Sequence, residues 1–292
     1  MTGPTMIASR FLALACLVSL AACAAGPAPR HTPGPAADDN LNAVVWMQNS
    51  EEFALSALTV YRAAGALLDQ ALADPAWDAM APGERAGDRT GLPPAIIVDV
   101  DETILDNSAY QARLVLEGRE YDTGSWAEWV EEARATPVPG AVEFLSAAAG
   151  QGVTVFYITN REHGQAEATL ANLAAVGFPV AQGVPVHLGL GMPVEGCTDQ
   201  GQNKVCRRQW VAERYRVLMQ FGDQLSDFID IGDNSPASRA QAMASAGGYI
   251  GERWFMLPNP TYGYWESSLF GEDWSLSRDE RRRIKRGSLR TH

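Results

Sequence analysis

Three apolar runs in this sequence are each followed at once by side chains that are able to carry out chemistry. The first run, 95–98, is short, continuous and β-branched, as buried parallel strands tend to be, and the other two runs are similar. Because ligands of an open α/β sheet lie at the carboxyl ends of its strands, we expect these side chains to converge on one edge of a sheet. The groups are Asp99-Val100-Asp101-Glu102-Thr103 after 95–98, Thr159-Asn160-Arg161 after 153–158, and Asp223 with Asp227 after 217–221, with Lys204 before the helix that leads to the last run.

Four carboxylates at one edge repel one another, and a hard cation with oxygen ligands is the usual reason to gather them. Mg²⁺ typically takes a few carboxylates, waters and a substrate phosphate oxygen. A carboxylate such as Asp99 attacks phosphorus without prior deprotonation, and Asp101, two residues on, is placed to protonate the leaving oxygen. Lysine and metal together screen the phosphoryl oxygens. The spacing therefore predicts phosphoryl-transfer chemistry, whereas a single Asp after a strand would indicate only a turn.

Strand and helix patterns alternate around these groups, which predicts an α/β fold with a doubly wound, mostly parallel sheet. The segment 44–94 begins with apolar residues at helical spacing and is expected to contribute to a cap. Residues 103–136 interrupt the alternation with many aromatic and acidic side chains, and we expect them to be an insert that forms a small, mainly helical cap on the core domain, 95–265. Further strands are predicted at 184–188 and 253–257, and helices at 140–149, 165–176 and 205–215.

The start of the chain has the features of a bacterial lipoprotein signal. The apolar run 11–22 is too short to span a bilayer as a helix and is typical of the hydrophobic region of a signal peptide. It ends in Leu20-Ala21-Ala22-Cys23, which resembles a lipobox. We therefore expect residues 1–22 to be removed and Cys23 to be lipidated; cleavage at Ala-x-Ala, with an incidental cysteine, is the alternative.

The regions on either side of the folded domain indicate how it is attached and where in the cell it lies. Residues 23–43 are rich in Ala, Pro and Gly and are predicted to be a flexible tether. Ala24 after the lipidated cysteine indicates the outer membrane of a bacterial cell envelope. The tail, 266–292, is basic and would either contact anionic lipid headgroups or, as we favour, form a solvated helix. The net charge of −12 argues against nucleic acid as a partner, and the oligomeric state stays open, a homodimer included.

The chain has four cysteines, and only two of them remain for the mature domain. Cys16 departs with the signal peptide and Cys23 carries the lipid. In an oxidising compartment Cys197 and Cys206 are predicted to form a disulfide. A zinc site that combined this pair with His187 would lack a fourth ligand.

Taken in order, the motifs resemble those of the haloacid-dehalogenase superfamily and, more narrowly, those of the class C bacterial acid phosphatases. The similarity runs from about Val45 to Trp265, nearly the whole mature domain. The narrower match rests on the runs 98–108 with Tyr110, 126–130, 139–144, 158–161 and 257–263.

The resemblance implies a Mg²⁺-dependent acid phosphatase that hydrolyses phosphomonoesters such as aryl phosphates and nucleoside monophosphates. It assigns Asp99 as the nucleophile that forms an aspartyl-phosphate and Asp101 as the general acid and base. Thr159, Asn160 and Lys204 would bind the phosphoryl group. A phosphotransferase on the same scaffold and a surface-binding lipoprotein without turnover are the alternatives, and the intact set of aspartates argues against the second.

The same resemblance assigns the metal ligands. Mg²⁺ would be held by Asp99, by the backbone carbonyl of Asp101 and by Asp223, with Asp227 in support. A second Gly-Asp pair ends at Asp233, but no carboxylate follows it four residues later. We therefore interpret Asp233 as a loop or helix-capping residue.

Aromatic residues around the cap are candidates for substrate recognition. Tyr110, Trp126 and Tyr262 match positions that surround the leaving group in the family, where an aryl ring or a base would stack on them; packing within the cap is the alternative. The family often has a further lysine shortly before the one matched by Lys204, and here Gln202 and Asn203 stand in that place.

Overall fold

A computed structural model of the protein describes residues 1–3, 37–85, 87–195, 197 and 201–292. The predicted lipidation site, Cys23, lies outside the described residues, as do most of the predicted signal peptide and tether. Within the described part, no helix has both the length and the apolar character that crossing a membrane requires.

A parallel β-sheet forms the centre of the folded unit Asp38–His292. The strands are β1 (Pro94–Val98), β2 (Leu105–Asp106), β3 (Thr136–Pro137), β4 (Thr154–Glu162), β5 (His187–Leu190), β6 (Arg216–Gly222) and β7 (Trp254–Met256). The sheet has the order β5-β4-β1-β6-β7, and each neighbouring pair in it is parallel. The chain passes from β1 to β4 and β5, then returns to the other side of β1, and this reversal opens a crevice at the carboxyl ends of the central strands.

Helices lie against the sheet and above it. They are α1 (Leu41–Asn49), α2 (Glu51–Ala73), α3 (Ser108–Glu117), α4 (Thr123–Glu131), α5 (Ala141–Gly150), α6 (Ala166–Ala175), α7 (Val205–Ala212), α8 (Pro236–Ala246), α9 (Tyr264–Ser267) and α10 (Arg278–Gly287). Short 3₁₀ helices span His163–Gln165, Leu225–Asp227 and Ser268–Phe270.

The local sequence explains the longest of these helices, α2. Ser50 caps it by accepting a hydrogen bond from the backbone N–H of Phe53, at 3.2 Å, and Glu51 and Glu52 place negative charge in its first turn, where the helix dipole favours it. Residues spaced by three, four or seven positions form one apolar stripe that faces the interior. They are Phe53, Ala57, Tyr61, Ala64, Leu68 and Ala71.

The register of the strands shows that helices cover both faces of the sheet. Phe221 of β6 stacks on Tyr61 of α2 with ring centroids 5.3 Å apart. Phe156 of β4 meets Trp210 of α7 at 6.1 Å. These two phenylalanines pair with consecutive residues of β1, and consecutive strand residues point to opposite faces. The predicted doubly wound α/β fold is therefore confirmed.

The insert predicted at 103–136 holds α3 and α4 and is closed at its base by the antiparallel pair β2 and β3. Helix α1 contacts α3, whereas α2 packs against α5, β6 and β7. The N-terminal helices thus divide between two places. Helix α1 lies against the cap helix α3, whereas the apolar stripe of α2 is buried against the sheet.

The basic tail forms α10, which docks onto the first residues of the folded unit. Arg278 contacts Asp38 at 3.1 Å. Arg282 and Lys285 contact Asp39 at 2.7 and 2.9 Å. The helix predicted for the tail is present and most of its residues are exposed, while acidic side chains distant in sequence engage these three cations.

His187 was mentioned in the sequence analysis only as a candidate zinc ligand. It lies buried in β5. It is 5% exposed, and neither ring nitrogen has a hydrogen-bond partner on another described residue. Burial, with smaller contributions from the neighbouring His163, Arg161 and Arg207, lowers the pKa of His187 to about 4. In the unfolded chain the pKa of histidine is about 6.5. The folded state therefore keeps this ring neutral at pH values where the unfolded state protonates it.

This histidine should cost stability as the pH falls from 6.5 towards 4, and the cost should level off below pH 4. His187→Leu removes the titrating ring. Relative to this variant, the wild type should lose about 2–3 kcal/mol of unfolding free energy between pH 7.5 and 4.5. Urea unfolding at both pH values measures the difference, and parallel pH profiles for the two proteins would contradict the prediction.

Candidate active site

The carboxyl ends of β1, β4 and β6 bring the predicted polar residues together. Asp99 follows β1, Asp223 follows β6, and Thr159 lies in the second half of β4. Lys204, the N-cap of α7, reaches the same place. Asp99, Thr159 and Lys204 are 6%, 0% and 5% exposed, so the site lies beneath the molecular surface and its electrostatic interactions are weakly screened.

A buried ammonium joins two of the carboxylates. Lys204 Nζ donates to Asp99 Oδ1 at 2.5 Å and to Asp227 Oδ1 at 2.7 Å. Burial opposes the charge, but the two carboxylates outweigh it and raise the pKa of Lys204. The other oxygen of Asp227 accepts the backbone N–H of Gln224 at 2.8 Å. The ammonium therefore stays charged and fixes both carboxylates in place.

A tight turn after β1 shapes the floor of the site. Glu102 has a left-handed backbone conformation, φ 57°, which costs a residue other than glycine about 1–2 kcal/mol. Its side chain, 1% exposed, accepts the backbone N–H of Asn107 at 3.0 Å and the hydroxyl of Tyr262. Burial, followed by the charge of Asp101, raises the pKa of Glu102 well above its ordinary value. These contacts hold the strained turn in one conformation.

Asp99, Asp223 and Asp227 form a cluster that suits a metal ion. Within the described part of the chain, one oxygen from each lies within 4.8 Å of the others. The hydroxyl of Thr103 bridges two of them, 3.0 Å from Asp99 Oδ2 and 3.5 Å from Asp223 Oδ1. All of these donors are oxygen atoms, which Mg²⁺ and Ca²⁺ prefer.

The pKa values of this cluster have a common cause. Burial, followed by the charges of Asp227 and Asp101, raises the pKa of Asp99 to about 7 against the attraction of Lys204. Burial and the charges of Asp227 and Asp99 likewise raise the pKa of Asp223 well above its ordinary value. A divalent cation would relieve this crowding of negative charge. The donor set therefore fits the predicted Mg²⁺.

The structure also shows which of the two Gly-Asp pairs, ending at Asp223 and at Asp233, belongs to the carboxylate cluster. Asp223 Oδ2 accepts from Gln224 Nε2 at 2.6 Å and from Asn259 Nδ2 at 2.8 Å, which aims its other oxygen at the cluster. Asp233 instead accepts from Ser235, the N-cap of α8, and from Ser238 in the first turn of that helix. The hydroxyl of Ser238, followed by the Ser235 bonds, lowers the pKa of Asp233 to about 2. Asp233 takes no part in the cluster.

The carboxylate of Asp101 points to a different set of partners. Arg161 approaches it with Nε and Nη2, the nearest contact being 2.8 Å. Asn107 Nδ2 donates to it at 2.9 Å. Neither Arg161 nor Asn107 was given a role from the sequence, although both belong to the runs that carry the resemblance. Their presence in those runs could have marked them as functional residues. Nothing in the sequence indicated which side chain each of them contacts.

Thr159 and Asn160, both predicted to bind the phosphoryl group, differ in whether their side chains are free to do so. Thr159 Oγ1 lies 3.5 Å from Asp101 Oδ2 and accepts the backbone N–H of Arg161. The amide of Asn160 is engaged by the chain itself, since it donates to the Gln202 carbonyl at 3.1 Å and accepts from Arg207 at 2.8 Å. Asn160 therefore ties β4 to the segment before α7.

That segment carries a disulfide. Cys197 and Cys206 are bonded, with Cα atoms 5.6 Å apart, and Lys204 lies within the loop they close. Arg207, which follows Cys206 in α7, donates to the carbonyls of Thr159, Gln202 and other residues of this region. The disulfide and this buried guanidinium together restrain the backbone from which the ammonium extends.

The three candidate aromatic residues have different surroundings. Tyr110 is 2% exposed, its hydroxyl lies 3.0 Å from Ser125 Oγ, and its ring meets Trp126 edge-on at 5.1 Å. Trp126 and Tyr262 are only partly buried. Tyr110 thus packs inside the cap, while Trp126 and Tyr262 keep surface that a ligand could contact.

Gly222, the last residue of β6, is required by the approach of Asp227. A methyl group built on Gly222 would overlap the Asp227 side chain, with Cγ only 2.7 Å away. Such a close approach of side chain to backbone is a common reason for glycine in a strand. The glycine therefore lets Asp227 reach the cluster.

An α/β sheet of this topology, with a carboxylate cluster and a buried lysine at its carboxyl edge, is the arrangement expected of the haloacid-dehalogenase class. A family model described as HAD superfamily, subfamily IIIB (acid phosphatase), matches residues 32–265. The chain belongs to that family, and the resemblance predicted from its motifs is confirmed.

Solved structures and curated relatives agree with this assignment. Two structures of the class C acid phosphatase of Bacillus anthracis, one with tungstate bound, are 32% and 33% identical, with TM-scores of 0.74 and 0.73. In each comparison 87% of this chain and 97% of the other are covered. Acid phosphatase 1 of Solanum lycopersicum and vegetative storage protein 1 of Arabidopsis thaliana are 26% and 25% identical over 171 and 167 residues. The chain spans only 57% and 54% of these two relatives.

Gly222→Ala should displace Asp227 and weaken the metal site. We expect the affinity for Mg²⁺ to fall at least about ten-fold, as it does when groups that orient metal ligands are disturbed. Isothermal titration with Mg²⁺ measures the effect. Gly150→Ala is the matched control, because a methyl group there meets no atom within 4 Å and should leave Mg²⁺ binding unchanged. Wild-type affinity in Gly222→Ala would show that Asp227 is not needed.

Proposed function

We propose that this protein is a Mg²⁺-dependent phosphatase that hydrolyses phosphomonoesters through a covalent aspartyl-phosphate on Asp99. The observation that carries the proposal is the place of Asp99. It is buried at the carboxyl end of the central strand, 2.5 Å from the ammonium of Lys204 and within a cluster of three carboxylates. Membership of an acid phosphatase family supports the same reaction class.

The residues around Asp99 suit its role as a nucleophile. One oxygen of Asp99 is held by Lys204 and the other by the hydroxyl of Thr103, so the carboxylate has a fixed direction of attack. Thr159 and Lys204 would bind the phosphoryl oxygens. The cation, held by Asp99, Asp223 and Asp227 with the Asp101 carbonyl, would screen the charge on those oxygens.

Asp101 is proposed as the general acid and base. Its side chain is 15% exposed, so it borders the space that a leaving group would enter. A carboxyl in that place gives a proton to the departing oxygen in the first step and takes one from the attacking water in the second. Both steps then use the same side chain.

Asp99→Asn provides the direct test of the nucleophile. An amide cannot attack phosphorus, so we expect kcat to fall by about three orders of magnitude or more, measured as phosphate release from an aryl phosphate with Mg²⁺ present. Thermal unfolding checks that the variant is folded. Asp233→Asn, which changes an exposed carboxylate outside the cluster, is the control and should keep wild-type turnover. Full turnover by folded Asp99→Asn would exclude the covalent mechanism.

We further propose that aryl phosphates and nucleoside monophosphates are preferred substrates, with Trp126 and Tyr262 in contact with the planar leaving group. Both side chains are partly buried. The Trp126 ring lies 5.7 Å from the Arg161 guanidinium, which contacts Asp101, and the Tyr262 hydroxyl donates to Glu102. A ring placed against an aromatic face gains about 0.5–1.5 kcal/mol beyond its burial. Glycerol phosphate, which has no ring, would gain nothing from such contact.

Trp126→Ala should therefore raise KM for 4-nitrophenyl phosphate or a nucleoside monophosphate by about five-fold, the equivalent of roughly 1 kcal/mol, and should change KM for glycerol phosphate far less. Steady-state kinetics with the two substrate types measure the difference. If both KM values rise equally, Trp126 acts only by packing within the cap.

A further inference from the structure

The guanidinium of Arg161 is placed to orient the carboxylate proposed as the general acid and base. Arg161 lies in β4 and is 1% exposed. Its Nε and Nη2 donate to Asp101 Oδ1 at 3.0 and 2.8 Å. The side-chain amide of Asn107, itself fully buried, donates to the same oxygen at 2.9 Å. Three N–H groups from two side chains thus converge on one carboxylate oxygen.

The other oxygen of Asp101 is held much more loosely. Asp101 Oδ2 lies 3.3 Å from Arg161 Nε and 3.5 Å from the hydroxyl of Thr159. Thr159 is one of the residues proposed to bind the phosphoryl group. The carboxylate is therefore asymmetric, with Oδ1 anchored in the protein and Oδ2 turned towards the phosphoryl side of the site.

The remaining contacts of the Arg161 guanidinium are also with side chains of the protein. Nη1 donates to Thr169 Oγ1 at 3.3 Å, Nη2 is 3.4 Å from Asn107 Oδ1, and the guanidinium lies 5.7 Å from the ring centre of Trp126. Because its nitrogens already face these acceptors and it is almost inaccessible, this arginine is not arranged as a phosphate ligand. A planar fork against a carboxylate fixes the plane of that carboxylate, which a lysine would not do.

Orientation matters because the terminal torsion of an aspartate is broad and roughly two-fold, so an unanchored Asp101 would exchange its two oxygens. A catalytic group displaced by about 1 Å can lose about 10²-fold in rate. We infer that Arg161 is a positioning residue that anchors Asp101 Oδ1, so that Oδ2 is the oxygen that transfers the proton. This inference rests on the proposed function of Asp101.

The reaction then has two steps, formation of the aspartyl-phosphate and its hydrolysis. Asp99 forms a bond to phosphorus, the bond from phosphorus to the leaving oxygen breaks with its electron pair on that oxygen, and the oxygen takes the proton of Asp101 Oδ2. In the second step water attacks the phosphorus, gives a proton to Oδ2, and inorganic phosphate leaves as the Asp99 carboxylate is restored. A misdirected Oδ2 would impair both steps, but the first only where the leaving group needs a proton.

Arg161→Gln tests this with two substrates. For glycerol phosphate, whose alkoxide needs a proton, kcat/KM should fall about 10²-fold. For 4-nitrophenyl phosphate, whose phenolate is a far weaker base, kcat/KM should fall less than about five-fold, because protonation adds little to its departure. The second step still requires Oδ2, so rapid mixing should show a burst of about one nitrophenolate per enzyme.

The controls separate orientation from damage to the fold. Arg208→Gln also removes a fully buried guanidinium, but one that pairs with Glu84 and has no hydrogen bond to Asp101. It should lower both kcat/KM values by the same factor and give no burst. Thermal unfolding and inhibition by inorganic phosphate report whether each variant keeps a folded site. If Arg161→Gln does not fold, Arg161→Lys, which keeps the charge without the fork, is judged by the same two-substrate criterion.

Asp101→Asn distinguishes failure of this inference from failure of the proposed function. Asp101→Asn should show the same dependence on the leaving group as Arg161→Gln, with a larger effect. If Asp101→Asn shows it and the arginine variants do not, Arg161 has only a structural role and the inference is wrong. If Asp101→Asn affects both substrates equally, the acid and base role of Asp101 itself is wrong.

Discussion

The site depends on one buried ammonium. Lys204 is 5% exposed, and an unpaired ammonium at such a position would be strongly unfavourable. Contacts of 2.5 and 2.7 Å to Asp99 and Asp227 compensate for the lost hydration. The carboxylates need the lysine equally, because burial and mutual repulsion raise the pKa of Asp99. The strand β1, the helix α7 and the turn after β6 are therefore tied to a single arrangement.

A second buried ion pair supports the first. Arg208, one helical turn after Lys204, pairs with Glu84 at 2.7 Å and donates to the carbonyls of Ser226 and Asp227 at 2.8 and 3.1 Å. Residues four apart lie on the same face of a helix. One face of α7 thus supplies both the cation of the site and the contacts that hold the turn bearing Asp227.

The cap is connected to the same centre through Asn107. Its backbone N–H binds the carboxylate of Glu102, its amide nitrogen binds Asp101, and its amide oxygen accepts the indole N–H of Trp129 in α4 at 2.8 Å. All the polar groups of this side chain are used within the protein, which makes it a rigid link. The position of the cap and the orientation of Asp101 are therefore coupled through one residue.

The sequence by itself determined the strands of the central sheet, the order of the motifs and the family, because apolar runs that end in polar residues, and apolar stripes such as that of α2, are local patterns. It also identified Asp99, Asp223 and Asp227 as candidate metal ligands, which the fold brings together. Only the tertiary structure decided that Arg161 contacts Asp101, 60 residues away, that Tyr110 is buried inside the cap, and that cations of the terminal helix pair with Asp38 and Asp39. These contacts join distant segments, and no local pattern encodes which buried side chain will meet which partner.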